Sequence, residues 1–205
     1  MPSRSTTAQP RPDRSPRTSA TPGSSATASA LRRLYLVRFG FAVVWAVLLF
    51  LTASRLDALS SALLLLYPVF DLAAAVVDHR SSRATGPSRA LYANMALSLL
   101  AAIGLALAVT SGLSSVLAVW GAWAVTTGAV QLVVGVGRRA LGGQWPMMLS
   151  GAISVVAGVG FLLQSRGPGA SLTSLAGYAT LGGVFFLLSA LRLRRLPTAG
   201  PRPSR

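Results

Sequence analysis

Four polar side chains stand inside otherwise apolar stretches of this sequence, where they could carry chemistry. They are Arg38, Asp71, Asn94 and Gln131. A polar group in apolar surroundings is costly to bury, so each one needs a partner or a task. Tyr67 precedes Asp71 by one helical turn and could join them. We expect Asp71 to pair with Arg38 and the two amides to hydrogen-bond around that pair.

This predicted cluster allows three interpretations. In the first, an ion pair between Arg38 and Asp71 fixes the packing of two helices. In the second, Arg38 extends its guanidinium to the membrane surface while Asp71 lies elsewhere. In the third, the cluster forms a site for a proton, an ion or a solute. Pro68 would support such a site, because a proline in a helix leaves a backbone carbonyl without its donor.

Other kinds of chemistry lack the residues that they need. The chain has one His, no Cys and four acids, all of them Asp. A metal site or a Ser-His-Asp triad is therefore not expected. The Gly-rich stretches lack the Gly-Lys-Ser/Thr of a phosphate loop. The sequence predicts a protein that is not an enzyme and that has no catalytic residues, no metal and no cofactor.

Six apolar segments must position the polar cluster. They have 18 to 24 residues each, at 34–53, 59–77, 91–110, 113–136, 146–163 and 172–191. About 20 residues of helix cross a hydrocarbon core of about 30 Å. Only 11% of the 205 residues are charged, whereas a soluble domain has about 25%. The sequence therefore predicts an all-α integral membrane protein with six transmembrane helices.

The arginines predict the orientation of these helices. Sixteen of the 19 lie on one side of the predicted membrane, and two, Arg55 and Arg166, lie on the other. Cytoplasmic loops carry the excess of basic residues, so we expect both termini in the cytoplasm. The chain has 19 Arg, no Lys and abundant Ala, Gly and Val, which suggests a GC-rich bacterial genome, so the expected membrane is the bacterial plasma membrane. The arginines of the two tails should bind anionic lipid headgroups. Nucleic acid is not an expected partner, because apolar segments interrupt any basic face.

Two tails are expected to flank the six-helix domain of residues 31–195. Residues 1–30 are rich in Ser, Thr, Pro, Ala and Arg, which is typical of a disordered tail. An organellar transit peptide has a similar composition. Residues 196–205 form a second basic tail.

The spacing of several residues indicates three repeated helical hairpins. Arg80, Arg138 and Arg192 follow the second, fourth and sixth segments at intervals of 58 and 54 residues. Gly128 and Gly182 precede the last two arginines by ten residues. We favour three copies of one hairpin, the first most diverged, over the alternative that short loops alone produce this spacing.

Small residues are expected where helices pack. In lipid, helices associate by close packing, which small side chains permit. The candidates are Gly121, Gly128, Gly151, Ser154, Gly158 and Gly182. The same residues could instead form the contact of a homo-oligomer.

A family resemblance rests on motifs between residues 91 and 195. These include Trp120-Gly121-Ala122-Trp123, the run Gly151–Gly158, Gly177-Tyr178 and Gly182-Gly183. By these motifs the chain resembles the HdeD-like family of small bacterial membrane proteins, which is largely of unknown function. The resemblance implies six transmembrane helices in the plasma membrane, and some members of the family are linked to acid resistance. The long basic tail and the first hairpin depart from the family pattern.

Together these patterns predict a non-enzymatic multi-pass membrane protein of HdeD-like type with an envelope or stress-related role. The alternative is a small transporter or channel that uses the polar cluster. Because polar residues are confined to the cytoplasmic third of the helices, the sequence disfavours a pore within one protomer.

Overall fold

The computed structural model describes residues 22–81, 89–137, 139–141 and 145–194. Within these ranges the chain forms six long α-helices and no strand. The helices are α1 (Pro22–Thr52), α2 (Ala58–Ser81), α3 (Arg89–Ser111), α4 (Leu113–Gly137), α5 (Trp145–Gln164) and α6 (Thr173–Arg194). A short 3-10 helix, Arg139–Leu141, follows α4.

Every one of these six helices contains a stretch that is long and apolar enough to cross a membrane. Large apolar side chains cover the outside of the bundle, with Leu51, Val133 and Val156 more than 70% exposed. Water would solvate such a surface poorly, whereas lipid solvates it well. The prediction of an all-α membrane protein with six spans is confirmed.

α1 begins earlier than predicted. Residues 1–30 were expected to form a disordered tail, yet the helix begins at Pro22. Proline suits the first turn of a helix, and the alternating alanines that follow have the highest helix propensity. The apolar span within α1 begins only at Arg32, so the extra turns precede the membrane. Residues 1–21 and the predicted tail 196–205 lie outside the described residues.

The six helices form a ring in chain order. Each packs against its neighbours along the chain, and α1 packs against α6 to close the ring. Neighbouring helices run antiparallel, so α1, α3 and α5 begin where α2, α4 and α6 end. We call this the basic end, because it carries Arg32, Arg33, Arg80, Arg89, Arg139 and Arg192. The opposite end carries Arg55 and Arg166.

The closest helix contact joins α4 to α5 and depends on glycine. A Cβ on Gly121 would lie 2.7 Å from the carbonyl oxygen of Gly158, and one on Gly128 would lie 2.7 Å from that of Gly151. Because any side chain would collide at these distances, the two backbones are in direct contact. Ser154 is also buried, and its Cβ would lie 2.9 Å from a Cβ on Gly128.

The closest pairs of helices do not coincide with the predicted hairpins. After α4 and α5, the most extensive contact is between α1 and α6, whereas α5 and α6, the third predicted hairpin, contact each other least. Arg138, one of the residues that indicated a repeat, lies outside the described residues. The threefold repeat therefore stays a prediction.

Two tight turns connect helices at the opposite end. Before α2, the backbone N–H of Ser60 donates to Asp57 Oδ1 at 2.9 Å, and the Asp57 N–H donates to Ser60 Oγ at 2.8 Å. This reciprocal cap stabilises the ionised carboxyl, so the Ser60 N–H lowers the pKa of Asp57. Between α3 and α4, Gly112 has a φ of 100°, which favours glycine.

The glycine contact between α4 and α5 predicts a strong positional effect of alanine. Gly128→Ala should lower the stability of the bundle by about 1–3 kcal/mol, the usual range for overpacking, because its Cβ meets backbone. Gly160→Ala on α5 is the matched control, since a Cβ there meets nothing within 4 Å. Thermal unfolding in detergent measures both, and equal midpoints would contradict the backbone contact.

Candidate functional site

The site lies inside the bundle around Asp71 of α2, whose carboxylate accepts hydrogen bonds from two other helices. From α1, Arg38 Nη1 lies 3.1 Å from Oδ1. From α3, Asn94 Nδ2 lies 3.0 Å and Ser98 Oγ 2.7 Å from Oδ2. The side chains of Arg38 and Asp71 are only 14% and 19% exposed. One negative charge is thus matched by one positive charge and two neutral donors.

The pair forms because both residues lie on the buried faces of their helices. On α1, Arg38 precedes the buried Ala42 by one turn and the buried Trp45 by two. On α2, Asp71 stands between the buried Leu64 and Ala75. Since residues three, four and seven apart share a helix face, the antiparallel packing of these faces brings the guanidinium to the carboxylate.

Arg38 also contacts α6. Its guanidinium carbon lies 5.2 Å from the centroid of the Phe186 ring, which is cation–π distance. Tyr35 stacks on the same ring at a centroid distance of 6.2 Å. Arg38 Nε is buried and has no hydrogen-bond partner within the described part of the chain. The arginine therefore joins α1 to both α2 and α6.

A cavity of about 130 Å³ lies beside Asp71. Side chains of α2, α3, α4, α5 and α6 contribute to its wall. Its aromatic lining consists of Tyr67, Trp123, Tyr178, Phe185 and Phe186. A cavity needs only about 10–15 Å³ to hold one water molecule, so this one has room for several waters or a small solute.

Gln131 lies in the wall of the cavity but does not bond to Asp71. Its Oε1 is buried and finds no partner among the residues that the structure describes. The expectation of two amides around the ion pair therefore holds for Asn94 only. Ser98 takes the other position. It lies one turn beyond Asn94 on the same helix face, which is the signal that could have identified it.

Tyr67 packs within an aromatic cluster. Among the described residues it makes no hydrogen bond to Asp71. Its ring lies 4.7 Å from that of Trp45, 5.4 Å from Trp120 and 6.1 Å from Trp123, measured between centroids. Trp45 and Trp120 are almost completely buried. Tyr67 and Trp123 of this cluster line the cavity, and Trp45 and Trp120 lie beyond them, nearer the opposite end than Asp71.

The indole of Trp45 bonds to the backbone near the proline of α2. Its Nε1 donates to the carbonyl oxygen of Leu63 at 2.6 Å. The adjacent carbonyl, that of Leu64, is the one that Pro68 leaves without its helical donor. Pro68 therefore leaves one carbonyl without its helical donor, and Trp45 of α1 donates a hydrogen bond to the carbonyl next to it.

Gly182 does not have the packing role that its spacing predicted. A Cβ there would meet only the Tyr67 hydroxyl, at 3.9 Å, and the residue lines the cavity. The packing glycine of α6 is Gly183, where a Cβ would lie 3.3 Å from the Cβ of Ala42. Consecutive helix residues point about 100° apart, so a contact between α1 and Gly183 directs Gly182 into the cavity.

Comparisons with known proteins found no relative of this chain. No family model matches it, and no curated protein or solved structure matches it either. The resemblance to the HdeD-like family therefore stays a prediction from motifs.

The contact between Arg38 and Asp71 predicts strongly non-additive substitutions. Asp71→Asn and Arg38→Gln should each destabilise the bundle, by up to about 3–5 kcal/mol, because each leaves an unpaired buried charge. The double variant should cost less than the sum, since it leaves no charge behind. Thermal unfolding and membrane abundance of the three variants measure this, and simple additivity would show that the pair contributes no coupling.

Proposed function

We propose that this chain is a non-enzymatic multi-pass protein of the bacterial plasma membrane, of HdeD-like type, with an envelope or stress-related role. The observation that best supports this is the state of Asp71. Its carboxylate already accepts from Arg38, Asn94 and Ser98, so it is poorly placed to act as a general base. Such saturation is typical of a structural pair that fixes helices.

The proposed orientation places the basic end in the cytoplasm. Arginines are concentrated there, and only Arg55 and Arg166 lie at the opposite end, as the positive-inside rule requires. The headgroups of anionic lipids are the proposed partners of the basic end, at about 1 kcal/mol for each arginine near the surface. A homo-oligomer would use the exposed apolar faces of the bundle.

Reporter fusions test this orientation. A fluorescent protein that matures only in the cytoplasm should fluoresce when fused to either terminus. An export-dependent phosphatase should be active only when it is inserted in the turns around Arg55 or Arg166, which serve as the matched control. Phosphatase activity at either terminus would overturn the proposed topology.

A second candidate function is that of a small transporter or channel, and the cavity is the observation that favours it. The cavity contains the polar side chains of Asp71, Asn94 and Gln131. Transport would further require a polar path to the opposite end. There the buried residues Leu49, Leu117 and Leu175 are apolar, which argues against a path through one protomer.

Complementation of a deletion strain separates these two functions. The strain is supplied with a gene for Gly182→Leu or Gly177→Leu. It is then challenged with acid, envelope stress and toxic solutes. Leucine at Gly182 would fill the cavity, whereas a Cβ at Gly177 meets nothing within 4 Å. If the role depends on packing or partner contacts, both variants should restore growth at equal abundance. Rescue by Gly177→Leu alone would show that the role needs the open cavity and would overturn a role that depends on packing or partner contacts.

A further inference from the structure

We propose that the cavity beside Asp71 is a binding site for a small uncharged molecule that has a flat apolar body and a hydrogen-bond donor. This inference goes beyond the proposed envelope or stress role and does not depend on it. It rests on the size of the cavity, its aromatic wall, one unpartnered acceptor and the local balance of charge.

The size of the cavity sets the size of the ligand. An engineered apolar cavity of about 150 Å³ in another protein binds benzene. At about 130 Å³, the cavity here accommodates a single six-membered ring or a chain of similar volume. Larger solutes would have to separate helices that are in contact.

The wall of the cavity favours a flat apolar body. Trp123 of α4 and Tyr178 and Phe185 of α6 contribute aromatic side chains to it. Aromatic rings pack well against the faces and edges of other rings, at about 0.5–1.5 kcal/mol per pair in other proteins. Tyr178 is held in place, since its hydroxyl donates to Ser154 Oγ at 2.9 Å.

Two buried polar atoms in the wall lack a partner among the described residues, the acceptor Gln131 Oε1 and the donor Trp123 Nε1. Gln131 Oε1 is buried with no hydrogen bond from the described residues, whereas Asp71, Asn94 and Ser154 are engaged. An unsatisfied buried acceptor is unfavourable, and Gln131 lines the cavity. A ligand with an O–H or N–H group would satisfy this acceptor.

The charges beside the cavity favour a neutral ligand. Asp71 is paired with Arg38 at 3.1 Å, so the two charges cancel locally. Arg38 also lies over the Phe186 ring, the position that an organic cation would otherwise take. A charged ligand would bring an unpaired charge into a site of low polarity, which is strongly unfavourable.

The ring of helices is weakest between α5 and α6, and this is the route by which the proposed ligand would enter. α5 and α6 contact each other less than any other neighbouring pair. Their contacts include Gln164 with Ser174 near the opposite end and Ser154 with Tyr178 further along. Side chains of both helices line the cavity, so it borders this weak contact.

Fluorine NMR of 4-fluorophenol tests this site on the purified full-length protein in detergent. The wild type should produce a saturable shift that unlabelled phenol reverses. Gly182→Leu should abolish that shift, and Gly177→Leu, the control on the same helix, should retain it. Gln131→Leu should weaken binding about fivefold, the equivalent of one hydrogen bond of about 1 kcal/mol.

Several results would overturn the site. One is a fluorine shift that does not saturate, and another is a shift of equal size in both glycine variants. Either result would show that 4-fluorophenol partitions into the detergent and does not bind in the cavity. Competition by benzylammonium as strong as that by phenol would refute the neutral ligand. Thermal unfolding verifies that each variant is folded, and Gly182→Val replaces Gly182→Leu if the latter is not. Loss of the site would leave the proposed envelope role intact, since complementation tests that role separately.

Discussion

The buried carboxylate of Asp71 is the interaction on which the arrangement of the helices depends most. Lipid cannot solvate a charge, so the protein itself must supply every donor. Arg38 comes from α1, and Asn94 and Ser98 come from α3. These bonds set the depth and the rotation of three helices at once. Because Arg38 also lies over Phe186, the influence of one carboxylate extends to α6.

α4 and α5 are held together by a different physical principle. Their backbones touch at Gly121 with Gly158 and at Gly128 with Gly151, so their geometry needs no polar group. The bundle thus contains a polar unit of α1, α2, α3 and α6 and an apolar pair of α4 and α5. Each is determined by its own contacts, and the two units meet least closely between α5 and α6. Side chains of both units line the cavity.

The sequence predicts well how deep in the membrane a residue lies along its helix. It predicts poorly which neighbouring helix the residue faces. Matching depth brought Arg38, Asp71 and Asn94 together correctly as a set, but Gln131 at similar depth lines the same cavity without a hydrogen bond to Asp71. Gly182 and Gly183 differ by one residue, and only the latter packs on α1. A soluble helix marks its buried face by an apolar stripe. Membrane helices are apolar all around, so which neighbour a residue faces emerges only from the packed structure.

The distribution of polar groups determines from which end the cavity can be reached. Asp71, Asn94 and Gln131 all lie in the half of the bundle near the basic end. Beyond them, Trp45 and Trp120 are almost completely buried and packed against each other, with ring centroids 5.6 Å apart. Passage to the opposite end would have to displace these close-packed rings, whereas entry between α5 and α6 disturbs the weakest contact in the ring. This geometry favours binding and release over translocation through a single protomer.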